Sequence, residues 1–274
     1  MQPKILAMTI VEALHTLVRK YCIEEFNFWK KEYAEKRTGS DFPEYTYSDG
    51  DYNLFPRYNA IDAILKGIET IIPADYTDFN ALKKDIIQFG LENETAAISN
   101  PDNAIEARAI QEEREKFRAH VEGITEKEVK NVAPLPLRRR LKIEEKQSVR
   151  HMLQDAWGYD GDYWEPLLEK CQRETVFILR KHITDDDSVF IKQILAKKGI
   201  SHLYEINETG DDYETDLEGF ESSYSNHEVI YVDETYKWAI YGSHEETVTF
   251  GGDWLITSIK DRFKNRQNVL NSWN

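Results

Sequence analysis

Histidine and carboxylate side chains are the residues in this chain best suited to moving protons, and they gather between 227 and 246: His227, Glu228, His244, Glu245 and Glu246. Imidazole beside carboxylate suits general acid–base chemistry or a divalent metal. A tight turn at 233–235 that pairs Val232 with Tyr236 would set His227 opposite Tyr241. The next turn would then carry His244, Glu245 and Glu246 to the same end of a sheet. A slip of one residue would send these side chains to opposite faces. Polar residues at hairpin ends are also what ordinary solvated turns contain. The candidate catalytic set is therefore His227, His244, Glu245 and Glu246, with no dedicated metal site and no cofactor motif.

Other chemistry-bearing patterns have plain structural readings. The sequence holds no glycine-rich phosphate loop, GxSxG elbow, HExxH helix or zinc-deaminase signature. Asp49-Gly50-Asp51-Tyr52 is echoed by Asp160-Gly161-Asp162-Tyr163, where paired carboxylates could grip a hard cation. Asp-Gly is also a common turn dipeptide, and that reading is preferred. Asp185-Asp186-Asp187 fits the positive end of a helix. Tyr163, Trp164, Tyr236, Trp238 and Tyr241 suit either a ligand groove or a sheet core. Arg138-Arg139-Arg140 with Lys142 is the one basic cluster, expected as a solvated linker or as partner to Glu144, Glu145 or the acidic C-terminal half. Cys22 and Cys171 read as buried thiols of a reducing compartment, which with the absence of a membrane-length apolar run predicts a cytoplasmic protein.

Charge is unevenly spread. Residues 1–150 carry 23 Lys+Arg against 26 Asp+Glu, whereas residues 151–274 carry 12 against 24. Within the second half, residues 205–253 hold fourteen acids and a single base, Lys237. Such a segment repels phosphates, so nucleic acid is excluded there, and it could steer a basic protein partner instead. The predicted contact residues are Asp211, Asp212, Glu214, Asp216 and Glu218, with Tyr213 and Phe220 as aromatic anchors.

The elements that must position these groups change period along the chain. Apolar spacing of three and four predicts helices over residues 5–33, 60–72, 77–87 and 100–121, separated by a loop at 38–57 that turns at Asp49-Gly50. Residues 126–142, with Pro134 and Pro136, read as a junction. A helix over 143–157 comes next, and then a turn at Asp160-Gly161. A further helix starts at Thr184, with Asp187 closing its cap, and stops at Gly199. Strands are predicted at 202–207, 228–232, 236–241 and 247–250, the last three as an antiparallel meander. Asp253 is expected to cap a final helix lying on one face of the sheet.

The fold class is α+β: a helical region 1–125, a junction 126–142 and an α+β region 143–274, with the two parts expected to touch. The leading function is an acidic module that captures a basic protein. Bacterial immunity proteins that neutralise nuclease toxins work through acidic faces, and this chain resembles them in class, without a shared motif. One alternative is a hydrolase or metal-assisted enzyme centred on the His/Glu cluster. Another is a regulatory subunit assembling through its helical half.

Overall fold

A computed structural model describes residues 8–40, 44–93, 102–160, 164, 173–221 and 228–273. The fold is α+β, and the chain divides into two compact units, residues 1–135 and 136–274.

The first unit is helical: α1 (Ile10–Lys36), α2 (Asp49–Ile68), α3 (Phe79–Glu92) and α4 (Ala104–Gly123). Val11, Leu14, Val18 and Cys22 of α1 repeat at helical spacing and meet Ile61, Ile64 and Ile68 of α2, Leu82 and Ile86 of α3, and Phe117 and Val121 of α4. The chain reaches these helices through side-chain caps at Thr9, Ser48, Asp78 and Asn103. Gly67 permits the closest approach between α2 and α3, because a Cβ there would lie 2.4 Å from the Phe89 carbonyl oxygen.

The expected loop at 38–57 is half helix. Asp49-Gly50 forms the first turn of α2, not a chain reversal, because Ser48 and Asp51 close a capping box around it. Asp51, 1% exposed, also accepts hydrogen bonds from the Thr38 and Gly39 amides. Burial works to raise its pKa, but these donors outweigh it and hold the carboxyl below its ordinary value. Asp51 is thus an internal hub and not an ion ligand. The echoing turn, including Gly161, Asp162 and Tyr163, lies outside the described residues, as does the expected helix start at Asn100-Pro101. The cap of α3 is Asp78, one residue after the predicted Thr77, and α4 is capped by Asn103.

The second unit is a seven-stranded antiparallel sheet of order β1-β4-β3-β5-β6-β7-β2: β1 (Arg138–Arg140), β2 (Thr175–Leu179), β3 (His202–Asn207), β4 (Tyr213–Asp216), β5 (Val229–Val232), β6 (Ala239–Ser243) and β7 (Thr247–Gly251). Helices α5 (Ile143–Trp157), α6 (Asp185–Lys197) and α7 (Asp253–Arg262) complete it. Ile191, Leu195, Leu255 and Ile259 of α6 and α7 pack with Val176, Val229, Ile240 and Phe250 on one face. Val149, Leu153 and Trp157 of α5 pack with Ile206, Ile230 and Tyr241 on the other. Alternate residues of β5 and β6 therefore feed two cores, which is why these strands read as continuous apolar runs.

Three further expectations are corrected. Arg138–Arg140, assigned to a junction, is an edge strand paired with β4. The β5–β6 ladder pairs Ile230 with Tyr241, three positions on from the predicted register. The connection is longer than a tight turn because Asp233 caps it, taking the Thr235 amide at 3.0 Å, and Tyr236 adopts φ 51° before β6 begins at Ala239. The cap of α7 is Gly252, at φ 101°, and Asp253 is the first helical residue.

Candidate functional site

Two places on the sheet unit concentrate polar chemistry, and neither is the surface foreseen from sequence. The predicted partner-binding residues are largely consumed internally. Arg140 Nε donates to Asp211 at 2.6 Å. The Asp212 carboxylate is fully buried, held by Arg150 at 2.9 and 3.0 Å and by the Asn207 amide at 2.9 Å, with Lys146 at 3.4 Å. Arg139 bridges Glu214 and Glu145, each at 2.8 Å. Asp216 accepts from the Leu137, Glu218 and Gly219 amides. Tyr213 is 6% exposed, with the Arg138 guanidinium 3.6 Å from its ring centre, and Phe220 lies wholly in the core, edge-on to Tyr231. Glu218 alone of the seven is exposed. Tyr213 folds inward by the alternation of β4, and Phe220, beyond the end of that strand, joins the core on the α6/α7 face. The arginines of β1 then neutralise the acids of β3, β4 and the strand connection between them.

The first concentration is a hollow of about 370 Å³ at the end of the sheet where β3 begins and β5 finishes. Glu214, Asp233 and Glu234 line it, with Lys198 and Gly199 from the C-terminal end of α6 and with His202 and Tyr204 of β3. The Tyr204 and Tyr236 rings stack at 6.5 Å. Burial, and then Glu214, raise the Tyr204 pKa, with Glu145 and Glu234 adding to the effect against Arg139. That phenol senses a local excess of negative charge. The C-terminal end of a helix adds partial negative charge in the same direction. Lys198, which lines the hollow, also places its ammonium 5.1 Å from the Trp254 ring centre.

The second concentration keeps part of the predicted His/Glu cluster. Glu228, 2% exposed at the start of β5, accepts from the Tyr241 hydroxyl, from Ser243 Oγ at 3.4 Å and from His244 Nδ1. Tyr241 in turn accepts the Trp164 amide at 3.1 Å. The Glu245 carboxylate stands 3.5 Å from His244 Nε2. Glu246 occupies the β6–β7 turn at φ 54°, its carbonyl taking the Arg180 amide at 2.8 Å. His227 lies outside the described residues. Ser243 joins the cluster unforeseen, whereas Tyr241, expected opposite His227, donates to Glu228; the alternation of β6 sends 241 and 243 to one face. Among the described residues, no group of three or more His, Cys, Asp or Glu is arranged to hold a metal ion.

No described helix is long and apolar enough to cross a membrane. Cys22 is buried and free, and burial raises its thiol pKa, while Cys171 lies outside the described residues. Comparison with protein families, with curated proteins and with solved structures returned no match.

Proposed function

We propose that this chain captures a basic partner protein by receiving a lysine or arginine side chain in the acidic hollow at the end of β3, a role of the kind immunity or regulatory proteins perform. The observation that carries this reading is the make-up of the hollow: Asp233 and Glu234, with Glu214 shared with Arg139, the C-terminal end of α6, and Tyr204, whose ring stacks on Tyr236 beside it. Carboxylates provide long-range attraction, and tyrosine faces reward a cation once it is partly desolvated. Glu234 is exposed at the turn, so it is placed to meet a partner first. This moves the expected contact away from Asp211, Asp212 and Asp216, whose carboxylates already serve the fold.

The test is calorimetric titration with a nona-arginine peptide at about 0.05 M and about 0.5 M salt, since screening separates surface charge from other contacts. Saturable binding at low salt that weakens at least about tenfold in Glu234→Lys is expected, because placing like charge against a ligand cation costs more than about 1.4 kcal/mol. Equal binding by wild type and Glu234→Lys would contradict the proposal.

A further inference from the structure

Capture of a cation at the hollow leaves the buried Glu228 carboxylate unused. Its side-chain partners among the described residues are Tyr241, Ser243 and His244, none of them a lysine or arginine. A buried carboxylate is costly unless its donors are fixed, and one of these donors is a ring that reaches the surface. A carboxylate only accepts, so His244 Nδ1 carries a proton toward Glu228 and Nε2 is the ring nitrogen turned away from that carboxylate. The His244 side chain is 65% exposed while Glu228 is 3% exposed. The pair therefore holds a base of set tautomer and direction at the protein surface.

His244 lines a shallow bowl of about 380 Å³ together with Leu179, Lys181, Glu245, Glu246 and Trp273. Trp273 is 55% exposed and leans on Phe177 at 4.8 Å between ring centres, leaving indole surface for an aromatic ligand. Lys181 is exposed and supplies a positive charge. Glu245 stands where it would steady a protonated ring.

We propose that this bowl is a hydrolytic site for aryl carboxylic esters, with His244 as general base and Glu228 as its positioning residue. A water molecule gives a proton to Nε2 as its oxygen bonds to the ester carbonyl carbon. The carbonyl π electrons move onto oxygen, where Lys181 meets the developing charge. Collapse of that intermediate re-forms the carbonyl and breaks the bond to the aryl oxygen, which leaves with the proton from Nε2–H. The products are a carboxylic acid and a phenol, and the ring returns to its starting state.

The probe is 4-nitrophenyl acetate, followed by release of nitrophenolate. Turnover above the buffer blank is expected, falling at least about 100-fold in His244→Ala, the low end for loss of a general base. Glu228→Gln should lower kcat with KM little changed and displace the pH profile, since an amide no longer selects the Nδ1–H tautomer. Trp273→Ala should raise KM. Glu228 is buried and its variant risks misfolding, so the exposed His244→Ala, with circular dichroism matching wild type, carries the decision. Hydrolysis no faster than the blank, or unchanged in His244→Ala, would overturn the proposal.

Discussion

The helical and sheet units handle charge differently, although they carry almost the same amount. Cut at the structural boundary, residues 1–135 hold 17 Lys+Arg against 24 Asp+Glu, and residues 136–274 hold 18 against 26. The imbalance between halves arises from cutting at residue 150, which separates Arg138, Arg139, Arg140 and Arg150 from the acids they neutralise. In the helical unit, buried pairs tie separate helices together. Arg19 of α1 reaches Glu69, at the C-terminal cap of α2, at 2.9 Å, and Arg57 of α2 reaches Glu113 of α4 at 2.6 Å. In the sheet unit a ladder of pairs runs along an edge, Arg138–Glu205, Arg139–Glu214 and Arg140–Asp211, beside the buried Asp212 and Asp187, which Arg150 of α5 and Arg262 of α7 hold. Linear acid density therefore overstates the field that a partner meets, and the carboxylates left at the hollow become the informative ones.

The comparison can be broken or sharpened by mutation. Five of the six tryptophans lie in the sheet unit, so their fluorescence reports mainly on that unit, while far-UV circular dichroism reports on the helices. Asp212→Ala should have the largest effect, about 3–5 kcal/mol in urea unfolding followed by fluorescence, because Arg150 and the Asn207 amide lose their shared acceptor. A loss below about 1 kcal/mol would return Asp212 to the surface role foreseen from sequence. Phe220→Ala should cost about 3–4 kcal/mol as a core truncation, whereas an exposed anchor would cost almost nothing.

Acid should act on the helical unit through His15. Burial pushes this imidazole down to about 4, with its Nε2–H donated to the Ile68 carbonyl at 3.1 Å and Arg19 disfavouring a second charge. A base whose folded pKa is depressed stabilises the fold while it stays neutral. That contribution is complete above the unfolded value near 6.5 and is lost as pH falls from about 6.5 to about 4. The linked change is about 3 kcal/mol. Unfolding followed at 222 nm across that range should show it, and His15→Leu should flatten the slope; an equally steep slope in the variant would remove His15 from the account. The smallest effect belongs to Glu218→Ala, within about 0.5 kcal/mol by the same urea assay, since its side chain is exposed.

Most helices were legible because a single buried stripe leaves a period in the sequence, as Leu14, Val18 and Cys22 do in α1. The first half of α2 was hidden by Asp49-Gly50 and Pro56, although Ser48 and Asp51 carried a readable cap. Strands β3, β5, β6 and β7 announced themselves through β-branched and aromatic runs. Two strands, β2 and β4, lie outside the runs predicted: Thr175–Leu179 carries that same signal, whereas Tyr213–Asp216 is too acidic to show it. Nothing local marks Arg138–Arg140 as a strand, because its partner in β4 is some 75 residues away. The Glu228–His244 contact was half legible: the residues were singled out, but the bond depends on a register that the Asp233 turn shifts. The hollow was not legible, since it joins a helix end, two strands and a turn.

The most direct measurement sets the hollow against the neutralised ladder. The nona-arginine titration, run side by side on Glu234→Gln and Asp211→Asn at low salt, separates them. The account predicts clear weakening in Glu234→Gln and wild-type affinity in Asp211→Asn, whose carboxylate already faces Arg140. Weakening in Asp211→Asn alone would contradict it and place recognition on the acids of the β3–β4 connection.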